Sequence, residues 1–375
     1  MRFAFTEEQE ELRATARAFL AERSSSERVR AAADSESGFD AETWKRIGGE
    51  LGWTAVAIPE EHGGLGLGAV EICALLEPMG ESLLCAPFFA SVCLGAQVIL
   101  EAGTPEQKDA WLPAIAAGER IATLAFDGPD GGEPGVLART AGSDFVLSGT
   151  VAQVVDGCAA DLVVVVARAS DGALALFAVP GDARGLERRA LPTLDRTRRL
   201  AALALRDVRV PATARLGGAE AHGAAALERT LDRARIALAA EQVGGAQRCL
   251  DLAVAYAKER VQFGRPIGSF QAIKHRLAEM MVRVETARSA AWWASGVAAL
   301  GDADEIARVA SLAKAWSSEA FFHAAAECLQ VHGGVGFTAE YDVHLYLKRA
   351  RAGEAWLGDP AWHRERIAGA LGLGV

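Results

Sequence analysis

The sequence predicts an α+β multidomain chain: an N-terminal helical domain over residues 1–120, a middle β-domain of barrel or sandwich form over 121–218, and a C-terminal four-helix bundle over 219–375. Two observations carry this reading. The chain has 375 residues, which leaves room for two or three domains at about 150 residues each. Its apolar texture also changes twice, from long runs of helical period to short runs divided by turn residues, and back.

The first segment opens with Thr6 and Gln9 as a capping box ahead of Leu12, Ala16, Phe19 and Leu20. Its helical pattern breaks at Ile58-Pro59-Glu60-Glu61-His62-Gly63-Gly64-Leu65-Gly66-Leu67-Gly68, which is too rich in glycine to continue a helix and reads as an ordered loop. In the second segment Phe145–Leu147, Leu162–Ala167, Leu174–Val179 and Leu200–Val210 have strand length, with Asp171-Gly172 and Pro180-Gly181 as turns. The third holds three long periodic runs, Ala224–Arg260, Phe270–Leu300 and Glu305–Val331. Each stops at a breaker: Gly264-Arg265-Pro266, Gly301-Asp302 and His332-Gly333-Gly334.

Lys and Arg total 39 against 49 Asp and Glu, a net charge of -10 that repels a phosphate backbone and argues against nucleic-acid binding. Cys73, Cys85, Cys93, Cys158, Cys249 and Cys328 show no CxxC spacing and read as reduced core thiols. The acidic start after Phe5 and the lack of an 18-residue uncharged apolar run predict a cytoplasmic protein without a membrane span. The seven histidines form no metal-ligand spacing, and no G-x-S-x-G or Walker A motif is present. Gly64 to Ala69 matches a G-x-G-x-x-A fingerprint in form, but no βαβ unit surrounds it, so the loop reads as structural.

Two segments have an unusual texture. Tyr256 to Gln271 ends a long helix with clustered cations and aromatic rings. In Leu329 to Thr338, glycines would let a ligand approach the backbone closely; a solvated helix end and a tight helix-to-helix turn are the plain alternatives. These segments, with Pro59-Glu60-Glu61-His62-Gly63-Gly64 and Glu340-Tyr341, resemble the acyl-CoA dehydrogenases over essentially the whole chain. They resemble in particular the chains of heteromeric bacterial members that oxidise steroid or other bulky acyl-CoA thioesters.

The resemblance implies FAD, held between the β-domain and the C-terminal bundle, with its pyrophosphate and adenine clasped by a neighbouring subunit. The matching clasp residues are Arg260, Gln262 and Phe263, then Gln330, Gly333 and Gly334. Asp232 and Arg235 fall where relatives contact the CoA thioester. The ring-facing positions depart from the family pattern: a Thr-Glu-Pro-Gly-type turn is replaced by Asp127-Gly128-Pro129-Asp130, and a Trp-x-Thr strand by Gln153-Val154-Val155. The base departs too. A carboxylate must take the α-proton while the flavin accepts hydride, yet the usual Glu position falls on Leu357 and the alternative one on Ala234.

Glu241, seven residues beyond Ala234 and on the same helix face, is the candidate relocated base. Glu354 and Asp359 flank Leu357, and a structural role is the plain alternative for all three. The resemblance therefore leaves several readings: one subunit of an α2β2 complex with a second acyl-CoA dehydrogenase-like chain, a self-sufficient homotetramer using Glu241, a desulfinase-like lyase on the same scaffold, or a catalytically silent partner.

Overall fold

The structure is a computed structural model that describes residues 5–129, 132–218, 223–300 and 302–373. The helices are α1 (Glu7–Arg23), α2 (Ser26–Asp34), α3 (Ala41–Lys45), α4 (Ala69–Glu81), α5 (Gln97–Ala102), α6 (Pro105–Ala116), α7 (Gly223–Glu259), α8 (Gln271–Leu300), α9 (Ala303–His332), α10 (Val343–Ala355) and α11 (Pro360–Ala370). The strands are β1 (Ala122–Ala125), β2 (Val136–Ala141), β3 (Asp144–Val155), β4 (Leu162–Ala169), β5 (Leu174–Pro180), β6 (Leu186–Ala190), β7 (Leu200–Val210), β8 (Val261–Gln262) and β9 (Arg265–Pro266). Helical, β and helical segments follow one another as the sequence predicts. Contacts gather the described residues into two compact units: one within Met1–Arg30, Ala69–Leu84 and Arg235–Val375, the other within Ala31–Gly68 and Cys85–Ala234.

The second unit is built on a seven-stranded mixed sheet in the order β1-β4-β2-β3-β7-β6, with β5 on the other edge of β4. β4 takes β1 and β2 in turn as parallel neighbours and β5 as an antiparallel one, so it is enclosed along its length and buries Leu162 through Ala167. A strand covered on both faces reads as a continuous apolar run, which is why Leu162–Ala167 stood out. β6, with the sequence Leu-Glu-Arg-Arg-Ala, is exposed on an edge and carries no apolar alternation to find. β3 shifts register against β7 twice, between Leu147 and Gly149 and between Val151 and Val154. Such bulges bend a strand and leave backbone donors outside the ladder.

In the first unit α1 begins with the reciprocal capping box: Thr6 Oγ1 accepts from the Gln9 amide at 3.3 Å, and Gln9 Oε1 accepts from the Thr6 amide at 3.0 Å. α4 and α7 cross with their backbones in contact. A Cβ on Gly80 would overlap the Glu241 carbonyl oxygen, and one on Gly244 would overlap the Glu77 carbonyl oxygen. Glu77 leaves this crossing buried. Its carboxylate meets Arg13 at 3.3 Å and Arg288 at 3.1 Å and accepts from Trp292 Nε1 at 3.2 Å, which ties α4 to α1 and α8. Gly80→Ala or Gly244→Ala should each cost about 3 kcal/mol, because two helix backbones must separate to admit a methyl group. Gly49→Ala, exposed and with nothing near its Cβ position, should stay within about 0.5 kcal/mol. Urea melts of the three variants check the contrast.

Candidate active site

Between α10 and α11 the chain turns through Trp356-Leu357-Gly358-Asp359, with Leu357 at φ 61° and Gly358 at φ 99°. A leucine in the left-handed region is a strained position that its surroundings must enforce. Two buried cations do so. Arg235 Nε donates to the Leu357 carbonyl at 3.2 Å, and its guanidinium lies 5.0 Å from the Trp362 ring centroid. Lys314 Nζ donates to the Gly358 carbonyl at 2.9 Å, the Glu354 carbonyl at 3.3 Å and Ser318 Oγ at 2.9 Å. Burial, and then the cations Lys314, Arg235 and Arg366, push the neighbouring His363 down to about 2, so its ring is neutral.

Position 357 is therefore held firmly, and it offers a buried aliphatic side chain where a proton acceptor is sought. The three candidate carboxylates have other partners. Glu241 is buried and paired with Arg349 at 2.8 Å. Glu354 pairs with Arg351. Asp359 caps α11, its Oδ1 accepting from the Trp362 amide at 2.8 Å. Ala234 is fully buried on α7, and Asp232 and Arg235, three residues apart on the same helix, are buried as well.

The clasp segments present the opposite chemistry. Arg260, Gln262, Phe263, Gln330, Gly333 and Gly334 are all exposed. The β8–β9 hairpin places Phe263 at its tip with 91% of its surface open, and Gln262 Nε2 folds back to its neighbour, the Val261 carbonyl, at 2.8 Å. The two segments are brought together at their helix ends, where the Tyr256 ring stacks on His332 at 4.2 Å. His332 is fixed in turn by donating from Nδ1 to the Cys328 carbonyl at 2.8 Å.

In the other unit, Asp127 follows β1. Its Oδ2 accepts from the Gly135 amide at 3.2 Å and its Oδ1 from the Ala152 amide at 3.4 Å. Val155 is buried, and its carbonyl accepts from Thr123 Oγ1 at 2.7 Å. Asp130, part of the same departure from the family pattern, lies outside the described residues.

The family models "Acyl-CoA dehydrogenase, N-terminal domain" and "Acyl-CoA dehydrogenase, C-terminal domain" match residues 6–119 and 221–372. The chain belongs to the acyl-CoA dehydrogenase family. It is 36% identical over 363 residues to acyl-CoA dehydrogenase IpdE2 of Mycolicibacterium smegmatis, covering 96% of this chain and 98% of that one. Among solved structures it is similar to the ChsE4-ChsE5 complex from Mycobacterium tuberculosis, with a TM-score of 0.90, 32% identity and 99% of both chains covered. It is also similar to a variant of the Tcur3481-Tcur3483 steroid ACAD, with a TM-score of 0.88, 35% identity and 98% of both chains covered.

As a member of this family the chain is an FAD-dependent oxidoreductase. The residues of this acyl-CoA dehydrogenase chain fit the cofactor on one side only. Arg260 and the open glycine turn suit a pyrophosphate, through a fork of charged donors and an accessible backbone. At the positions that the resemblance assigns to the ring, Asp127 is a carboxylate acceptor, each oxygen already taking one backbone amide, and Val155 has no side-chain donor.

Lys314 and Arg349 escaped the reading from sequence. Lys314 had a signal, as the lone cation in the apolar run from Val309 to Trp316. Burial, then the charge of Arg235, brings its ammonium down to about 7 from an ordinary 10.5. Across that window the unfolded chain binds a proton the folded chain has released, so this residue makes stability rise with pH. Lys314→Met should flatten the rise, seen as a smaller difference in urea midpoint between about pH 7.5 and about pH 9.5 than in the parent. An unchanged difference would show that the ammonium keeps its ordinary proton affinity in the fold.

Proposed function

We propose that this chain is one subunit of a heteromeric acyl-CoA dehydrogenase that α,β-desaturates a bulky acyl-CoA thioester of the steroid-derived class, and that a second acyl-CoA dehydrogenase-like chain supplies the catalytic base and the flavin ring seat. One observation carries the reading. The turn that should present a carboxylate presents Leu357, and the candidate substitutes Glu241, Glu354 and Asp359 are engaged with Arg349, Arg351 and a helix cap. An α-CH beside a thioester is too weak an acid to lose its proton without a positioned base. The similar structures support the partner: one is a complex of two differently named chains, and the other is a steroid ACAD that bears a paired name.

In this reading the chain's own contribution is binding. Arg260 and Gln330 hold the anionic half of FAD across a subunit interface, with Gly333 and Gly334 leaving room for it. When bound, FAD supplies the hydride acceptor of the desaturation. Asp232 and Arg235 remain proposed CoA-side residues, although the Arg235 guanidinium also supports the Leu357 carbonyl.

Three measurements follow from this assignment. The chain produced alone should be poor in flavin, and activity should appear on co-expression with the second chain, at about one FAD per pair of chains. A chain that arrives alone with one FAD in every protomer removes the proposal. In the complex, Arg260→Ala should weaken FAD retention by about 1.5 to 3 kcal/mol, the scale of a charge-assisted contact, and unchanged flavin content would dismiss the clasp. Glu241→Gln should cost about 3 kcal/mol by removing the negative charge paired with buried Arg349, yet substrate should still reduce the flavin quickly. Loss of that reduction in a folded variant would restore Glu241 as the base and favour the self-sufficient homotetramer.

A further inference from the structure

Three polar groups on or beside β1, β2 and β3 are satisfied within the chain. The amide of Ala152 lies in the stretch of β3 between Val151 and Val154 where pairing with β7 lapses, so it is released from the ladder. The amide of Gly135 lies just before β2, where a Cβ would overlap the Thr150 carbonyl oxygen, so the two backbones meet closely. Both amides point at one side chain, Asp127, which accepts them on separate carboxylate oxygens. The hydroxyl of Thr123, on β1, is buried and spent on the Val155 carbonyl.

Resting on the heteromeric reading above, we propose that the Asp127 carboxylate, held by the Gly135 and Ala152 amides, occupies the place that the family resemblance gives to the flavin ring in this chain and closes that place to flavin. A neutral ring carbonyl competes poorly for such donors, because hydrogen bonds to an ionised acceptor are about twice as strong as neutral ones. The side chain is tethered, whereas a free ligand must give up translational freedom on binding. The closure is also electrostatic: a flavin that becomes anionic on reduction would bring its charge beside a carboxylate. Asp127 is half-buried rather than enclosed, so it can be replaced without opening a core.

The test compares FAD with ADP, which lacks the ring, on the full-length chain and on Asp127→Thr and Asp127→Asn; the second variant keeps the shape and one acceptor should the first fold poorly. For the parent, FAD should bind no more tightly than ADP, and flavin fluorescence should stay unquenched. Removing the carboxylate should raise the preference for FAD over ADP by about tenfold or more, with quenching, as expected when a hydrogen bond or two is gained. Folded variants that keep the parental preference overturn the role of Asp127 while leaving the heteromeric reading in place. A parent chain that already prefers FAD and quenches it overturns both.

Discussion

The contact between α4 and α7 is the constraint on which the helical unit depends. Gly80 and Gly244 each face a carbonyl oxygen of the opposite helix, so the two backbones lie closer than any side chain would permit. Close packing of this kind fixes distance and rotation together, because neither helix can roll without driving a carbonyl into a Cα. Glu77 and Glu241, the residues whose carbonyls make the contact, then send their side chains to different partners: Glu77 to Arg13 and Arg288, Glu241 to Arg349. Gly245, next along α7, seats the Phe321 ring of α9. One short stretch of α7 therefore positions three other helices.

That arrangement accounts for the chemistry of the turn at Leu357. Buried carboxylates are costly unless paired, and Glu77 and Glu241 are both paired with arginines that serve the fold. Arg235 and Lys314 reach the turn as buried cations and donate there to backbone carbonyls and a serine hydroxyl. They hold the backbone of residues 354–358 in a conformation that a leucine would not choose alone. The machinery for presenting a side chain at 357 is thus intact, while the side chain presented is inert to protons.

The long elements were legible from sequence because a single face or period marks them. The runs predicted at Ala224–Arg260, Phe270–Leu300 and Glu305–Val331 correspond to α7, α8 and α9 within a residue or two at each end. The edge strand β6 and the four-residue β1 were not legible: the first is polar and exposed, and the second is too short to show alternation. The barrel or sandwich expectation also lacked the parallel pairing of β4 with β1 and β2, since parallel neighbours join through distant connections that leave no local signal. At the site, the absence of a base at 357 and 234 could be read directly. The commitment of Glu241 to Arg349, 108 residues away, could not, because ion pairs between distant helices have no spacing rule.

The two faces that concern the cofactor's family role differ in one physical respect, which is where their donors are spent. In the clasp, the Arg260 and Gln330 side chains are exposed to a second molecule, while the Gly333 amide is spent on the end of α9 and the turn offers only its open backbone surface. In the sheet, the amides of Gly135 and Ala152 and the hydroxyl of Thr123 already have acceptors in the chain. A donor left unmet in the fold gains fully on meeting a ligand, whereas a donor already satisfied gains only the difference between two bonds. In the proposed heteromeric reading, a chain that keeps the first set open and satisfies the second internally has no need of a ring of its own, and its binding energy is directed toward a neighbour.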